Sequence, residues 1–125
     1  MDHRIEQARE DWFASHPFDP NKNAVLAHGE DGIPSGFLTL PDLSDTSVVA
    51  LKYGYEFLAS VRTDDDVDEW LASIFRTAES ADLVGIMLAY AFRGIAPIIG
   101  QIIDNDPGLA ETMKTICVQG WEKDF

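Results

Sequence analysis

The 21 residues LVGIMLAYAFRGIAPIIGQII at positions 83–103 decide how this chain folds. They are apolar apart from Arg93 and Gln101, and they include no acid. A run of this kind is either a bilayer span or the central helix of a globular core. A charge near the middle of a span costs several kcal/mol, and Gly94, Pro97 and Gly100 divide the run. The expectation is a core helix rather than a membrane span. It breaks after Gly94 and near Pro97, with a shorter piece from Ile95 to Ile103.

Outward from this run, the flanking residues carry helix punctuation. Ser80 is placed to cap the central helix, with Asp82 in its first turn. Before it, Thr63 and Asp66 approximate a capping box, and Val67, Trp70, Leu71, Ile74 and Ala78 recur at helical spacing. After it, Asp106 and Pro107 read as an N-cap with proline at the first helical position. Leu109, Met113, Ile116, Cys117 and Trp121 then form the apolar stripe of a last helix. Residues 45–61 are ambiguous. Val49, Leu51, Tyr53, Tyr55 and Phe57 alternate as in a strand, whereas Val48, Leu51, Tyr55 and Leu58 recur as in a helix. Length and a Ser44–Asp45 cap favour the helix, against the cost of Gly54.

Toward the N-terminus, Asp2 is placed to cap a helix ending near Ser15, with Ile5, Ala8, Trp12 and Phe13 on one face. Residues 17–44 hold four of the six prolines and three of the nine glycines, so they form an irregular segment or a small β-hairpin. The short strands would be 24–27 and 36–40, around the turn chemistry of Gly29 to Gly32. The expected fold is a mostly α, compact single-domain bundle of five or six helices spanning 1–125, with that hairpin segment near 17–44.

Composition narrows the partner. The 125 residues (13.9 kDa) are 46% hydrophobic and 25% charged, which suits a globular chain able to bury a core without disulfides or metal. Charge is unusual: 22 acids against nine Lys or Arg give a net charge of -13 and a pI near 4.3. Phosphate backbones and anionic membranes are disfavoured as ligands, because both need cationic side chains. A duplex carries about one charge per 110 Å² of its cylinder. The net charge here averages about one per 500 Å² of the expected surface, so mimicry of nucleic acid demands strong segregation of the acids. The lone Cys117 excludes an internal disulfide. With no basic, apolar leader in residues 1–6, a cytoplasmic setting is the expectation.

Catalytic signatures do not emerge. Cys117 sits in an apolar stripe late in a helix and reads as a buried small hydrophobe, not a nucleophile. His3, His16 and His28 share no ligand spacing, and one cysteine excludes zinc-finger patterns. Asp64, Asp66 and Asp68 alternate as in a calcium loop. An EF-hand there would need Gly at the sixth position and Glu at the twelfth, where the chain has Glu69 and Phe75. The glycines at 29, 32 and 36 match no phosphate loop. No cofactor or metal is implied.

The densest charge run, Asp64, Asp65, Asp66, Asp68 and Glu69, has two readings. First-turn acids complement a helix macrodipole, and an exposed acidic patch recognises Arg and Lys on a partner. Glu6, Glu10 and Asp11 form a second acidic surface. Trp121, near a chain end, is the best interface anchor of the three tryptophans. The leading expectation is an acidic protein that binds a basic, nucleic-acid-handling protein, as toxin-immunity, anti-restriction and anti-CRISPR inhibitors do. The alternative is a non-catalytic homodimeric assembly subunit with Gly85, Ala89, Gly94 and Gly100 in its seam. An enzyme comes third.

Overall fold

A computed structural model describes residues 3–20, 24–28, 34–39 and 43–123. Five helices and one hairpin appear among them, in the order α1 (His3–Ser15), β1 (Ala24–His28), β2 (Pro34–Thr39), α2 (Leu43–Ser60), α3 (Asp64–Ala78), α4 (Ala81–Asp104) and α5 (Pro107–Glu122). The mostly α class and the hairpin match the sequence reading. β1 and β2 pair antiparallel from Ala24 opposite Thr39 to Ala27 opposite Gly36, with an irregularity before His28. The expected Asp2 cap, the turn at 29–32 and Leu40 lie outside the described residues.

Three helix starts follow the predicted chemistry. Thr63 accepts from the Asp66 amide, and the Asp66 carboxylate accepts from the Thr63 amide, which completes a capping box on α3. The Ser80 hydroxyl accepts from Leu83 N at 3.2 Å. Asp106 Oδ1 accepts from Leu109 N at 3.1 Å, with Pro107 opening α5. A fourth start differs from expectation. α2 begins at Leu43, so Ser44 and Asp45 fall inside its first turn instead of before it, and Asp45 is its first-turn acid.

The central run also differs. α4 is one continuous helix through Gly94 and Pro97, so the described chain has five helices and no separate sixth. Pro97 removes the amide that would bond the Arg93 carbonyl. Burial on the upstream side offsets that loss: Leu83, Val84, Met87, Ala91 and Ile95 all lie in the core. By length and composition alone α4 would span a bilayer. Only 28% of its apolar window is buried within the protein, so part of its outer face stays apolar and uncovered.

The core lies between α2, α3 and α4, and α2 packs most extensively on α4. Small residues permit that approach. A Cβ on Gly54 would stand 2.8 Å from Ile95 Cγ2 and 3.0 Å from the Ala91 carbonyl oxygen. A Cβ on Gly94 would stand 2.4 Å from Leu51 Cδ1. α3 is joined to α2 by buried polar bonds. Trp70 Nε1 donates to the Tyr53 carbonyl at 2.9 Å, and the Tyr53 hydroxyl lies 2.9 Å from Ser73 Oγ and 2.8 Å from Thr77 Oγ1. Phe57 completes the layer edge-on to Trp70, with ring centroids 5.0 Å apart.

These spacings rank the glycines. Gly54→Ala is expected to destabilise by about 1–2 kcal/mol, because the clash with α4 backbone outweighs the gain in helix propensity. Gly94→Ala meets only the end of a leucine side chain and should cost less. Gly85 has open space around the added Cβ, so Gly85→Ala should stabilise by about 0.5–1 kcal/mol. Urea midpoints of the three variants test this order, and a neutral Gly54→Ala would remove the close-approach explanation.

Candidate functional site

The acidic run opens α3. Asp64, Asp65, Asp68 and Glu69 are exposed, while Asp66 is half-buried. Backbone amides of Arg62 and Thr63 donate to Asp66 Oδ2 at 3.0 and 3.1 Å and hold its carboxyl below the usual carboxylate range. Helix initiation thus engages Asp66 directly. Asp64 and Asp65 add favourable charge at the first turn, and Asp68 and Glu69 lie beyond it.

The second acidic surface lies on α1. Glu10 and Asp11 are exposed, and Asp11 accepts from Gln7 Nε2 at 2.8 Å. Glu6 is half-buried, 3.8 Å from His3 Nδ1. Folding brings part of the two surfaces together, because Glu6 and Glu69 line one cleft between α1 and α3 with Arg9 and Arg76. The patch is therefore acidic at its outer edge and mixed in charge where the helices meet.

Trp121 sits apart from these acids along the fold, on α5, which packs against α4. It is 87% exposed. Trp70, in contrast, is 2% exposed in the core, and Trp12 is half-buried beneath Lys52 Nζ, which lies 4.9 Å from its ring centroid. Cys117 overturns its sequence reading. It is exposed, and no residue of α5 is buried. The predicted apolar stripe exists at the right spacing, but much of it lacks a covering surface: Met113 and Ile116 are 42% and 44% exposed, and the neighbouring Val118 is 53% exposed. The expected small-residue seam is divided. Gly94 is occupied by Leu51 within the chain, whereas Gly85 and Ala89 face outward.

Sequence reasoning did not identify a groove between α1 and α2. α1 has no fully buried residue. It is attached through Trp12 and Phe13 at the edge of the core and through an Arg9–Glu56 ion pair. An apolar stripe of Ile5, Ala8, Trp12 and Phe13 was a legible signal, but its partner was not. Among the described residues, no group of three or more His, Cys, Asp or Glu side chains is placed to hold a metal ion. His3 and His16 are exposed, and His16 stacks on Trp12 with centroids 4.6 Å apart.

The Asp66 contacts set a pH dependence. A carboxyl whose folded pKa lies below its ordinary value stabilises the fold above that ordinary value, and the contribution disappears as pH falls through the folded pKa. The urea-midpoint difference between the wild type and Asp66→Asn should be constant above about pH 5 and shrink below about pH 4. Thr63→Ala should cost about 1 kcal/mol at neutral pH. An Asp66→Asn difference that persists unchanged in acid would show that the carboxylate charge is not what the box uses.

Comparison with family models, with curated proteins and with solved structures finds no match to this chain.

Proposed function

We propose that this protein acts by binding another protein, and that its partner offers a basic, nucleic-acid-binding surface. The supporting observation is the start of α3, where the capping box uses Asp66 and leaves Asp64, Asp65, Asp68 and Glu69 exposed. Four carboxylates on one turn and a half of helix complement Arg and Lys, and they speed encounter with a cationic surface. Occupation of a nucleic-acid channel by such a surface is inhibition, in a reducing cytoplasmic setting where Cys117 stays a thiol.

The test keeps Asp66, since its removal would disturb the helix. A tagged chain is used to capture partners from host-cell lysate at low and high salt, and the captured protein is purified. Its affinity should fall steeply with salt. The variant Asp64→Asn, Asp65→Asn, Asp68→Asn, Glu69→Gln should bind about tenfold or more weakly while still unfolding cooperatively, its melting temperature lowered only by the lost first-turn charge. Equal binding by that variant in low salt would remove this surface from the proposal.

A second reading has its own observation. Residues 83–121 carry three acids and two bases, so twelve of the thirteen net negative charges lie elsewhere. This near-neutral half presents Ile102, Met113, Ile116, Val118 and Trp121 to solvent. Two copies meeting through α5 would bury those side chains while keeping their acidic halves apart. A dimer of this kind predicts a melting temperature that rises with protein concentration and that Ile116→Glu makes concentration-independent. A monomer mass at high micromolar concentration would eliminate it.

A further inference from the structure

α1 is held differently from the helices of the core. None of its residues, His3–Ser15, is buried, and Trp12 and Phe13 rest half-buried at the edge of the core. A groove of about 640 Å³ lies between α1 and α2, with Ile5, Ala8 and Phe13 on one wall and Val49, Tyr53 and Glu56 on the other. Close-packed helices leave no such space, so along the groove α1 stands off α2 and gains little from excluding water. α1 has 13 residues, and an isolated helix shorter than ~12–15 residues is marginal in water. Its order therefore depends on its anchors.

The deepest anchor is ionic. The Arg9 guanidinium donates to Glu56 Oε1, and the two side chains are 18% and 6% exposed. Both charges lose water to form such a pair, so its net contribution is small, whereas removal of one partner leaves a desolvated charge behind. A pair sealed inside a core has no escape from that penalty. This one does: when α1 swings away, Arg9 returns to water and Glu56, on the groove wall, becomes hydrated as well. The chain supplies a pivot for that movement. Phe18 packs against the core just after Pro17, so rotation at residues 16 and 17 leaves the following chain fixed. We propose that α1 is a strap latched by Arg9 and Glu56, which opens as one unit while α2, α3 and α4 stay packed. Opening uncovers the face of α2 that carries Tyr53 and Glu56.

Amide hydrogen exchange, read residue by residue by NMR on the full chain, tests the strap and its latch separately. In the wild type, the amides of residues 7–15 should share one opening and exchange about a hundredfold or more faster than those of α4 around Ala91. Arg9→Met keeps an unbranched side chain and strands Glu56 only while α1 is docked. It should speed α1 exchange about tenfold and leave α4 exchange unchanged. Arg9→Met combined with Glu56→Met removes both charges and should return α1 to wild-type protection or better. Wild-type α1 amides that exchange as slowly as those of α4 would overturn the strap. Arg9→Met that speeds every helix alike, or fails to fold, would show that the pair serves the whole core. A double variant as open as Arg9→Met would show that lost packing, not a stranded charge, releases the helix, and would overturn the latch.

Discussion

At Gly54 the backbone of α2 comes so near α4 that an added Cβ would lie 3.0 Å from the Ala91 carbonyl oxygen. Gly94 repeats the arrangement from the opposite side, beneath Leu51. Close contact of two helix backbones lets Val49, Ala50, Tyr53, Met87, Ala91 and Ile95 exclude water completely. α3 and α5 are arranged on that pair. α3 attaches by the Trp70 and Tyr53 hydrogen bonds, and it can do so because α4 fixes the face of α2 that carries Tyr53. A glycine that weakens α2 by intrinsic propensity is therefore the residue that permits its packing.

The molecule has two unlike halves. Acids concentrate at the start of α3, while α4 and α5 are close to neutral and partly uncovered. Self-repulsion of the acidic half opposes association there and leaves the neutral half available for contact. α1 is tied to α2 by the buried Arg9–Glu56 ion pair. Such a pair contributes little net stability against desolvation, but removing one member would strand a buried charge. It serves to position α1, which otherwise rests on Trp12 and Phe13.

Local chemistry was legible where it depended on neighbours a few residues apart. The Thr63–Asp66 box and the Ser80 and Asp106 caps followed from residue type and spacing, and the hairpin was one of the two readings open for residues 17–44. The break predicted at Gly94 did not occur, because the intrinsic cost of Pro97 is local, whereas the burial of Ala91 and Ile95 that outweighs it comes from α2. Cys117 was misplaced for a related reason. A stripe at helical spacing states which residues share a face, not whether another element covers it, and among the described residues α5 has α4 alone as a substantial neighbour.

Sequence by itself therefore determined the mostly α class, the starts of α3, α4 and α5 and the excess of negative charge, since these rest on backbone propensity, short-range hydrogen bonds and composition. Tertiary structure alone decided that α4 is continuous, that Asp66 is a structural acid among four exposed ones, that α5 is bare, and that three cations and four aromatics meet in one groove. Arg4 and Lys52 are 48 positions apart in the chain. Only the packing of α1 on α2 brings them to one groove, because through-space charge and burial depend on neighbours that chain order does not specify.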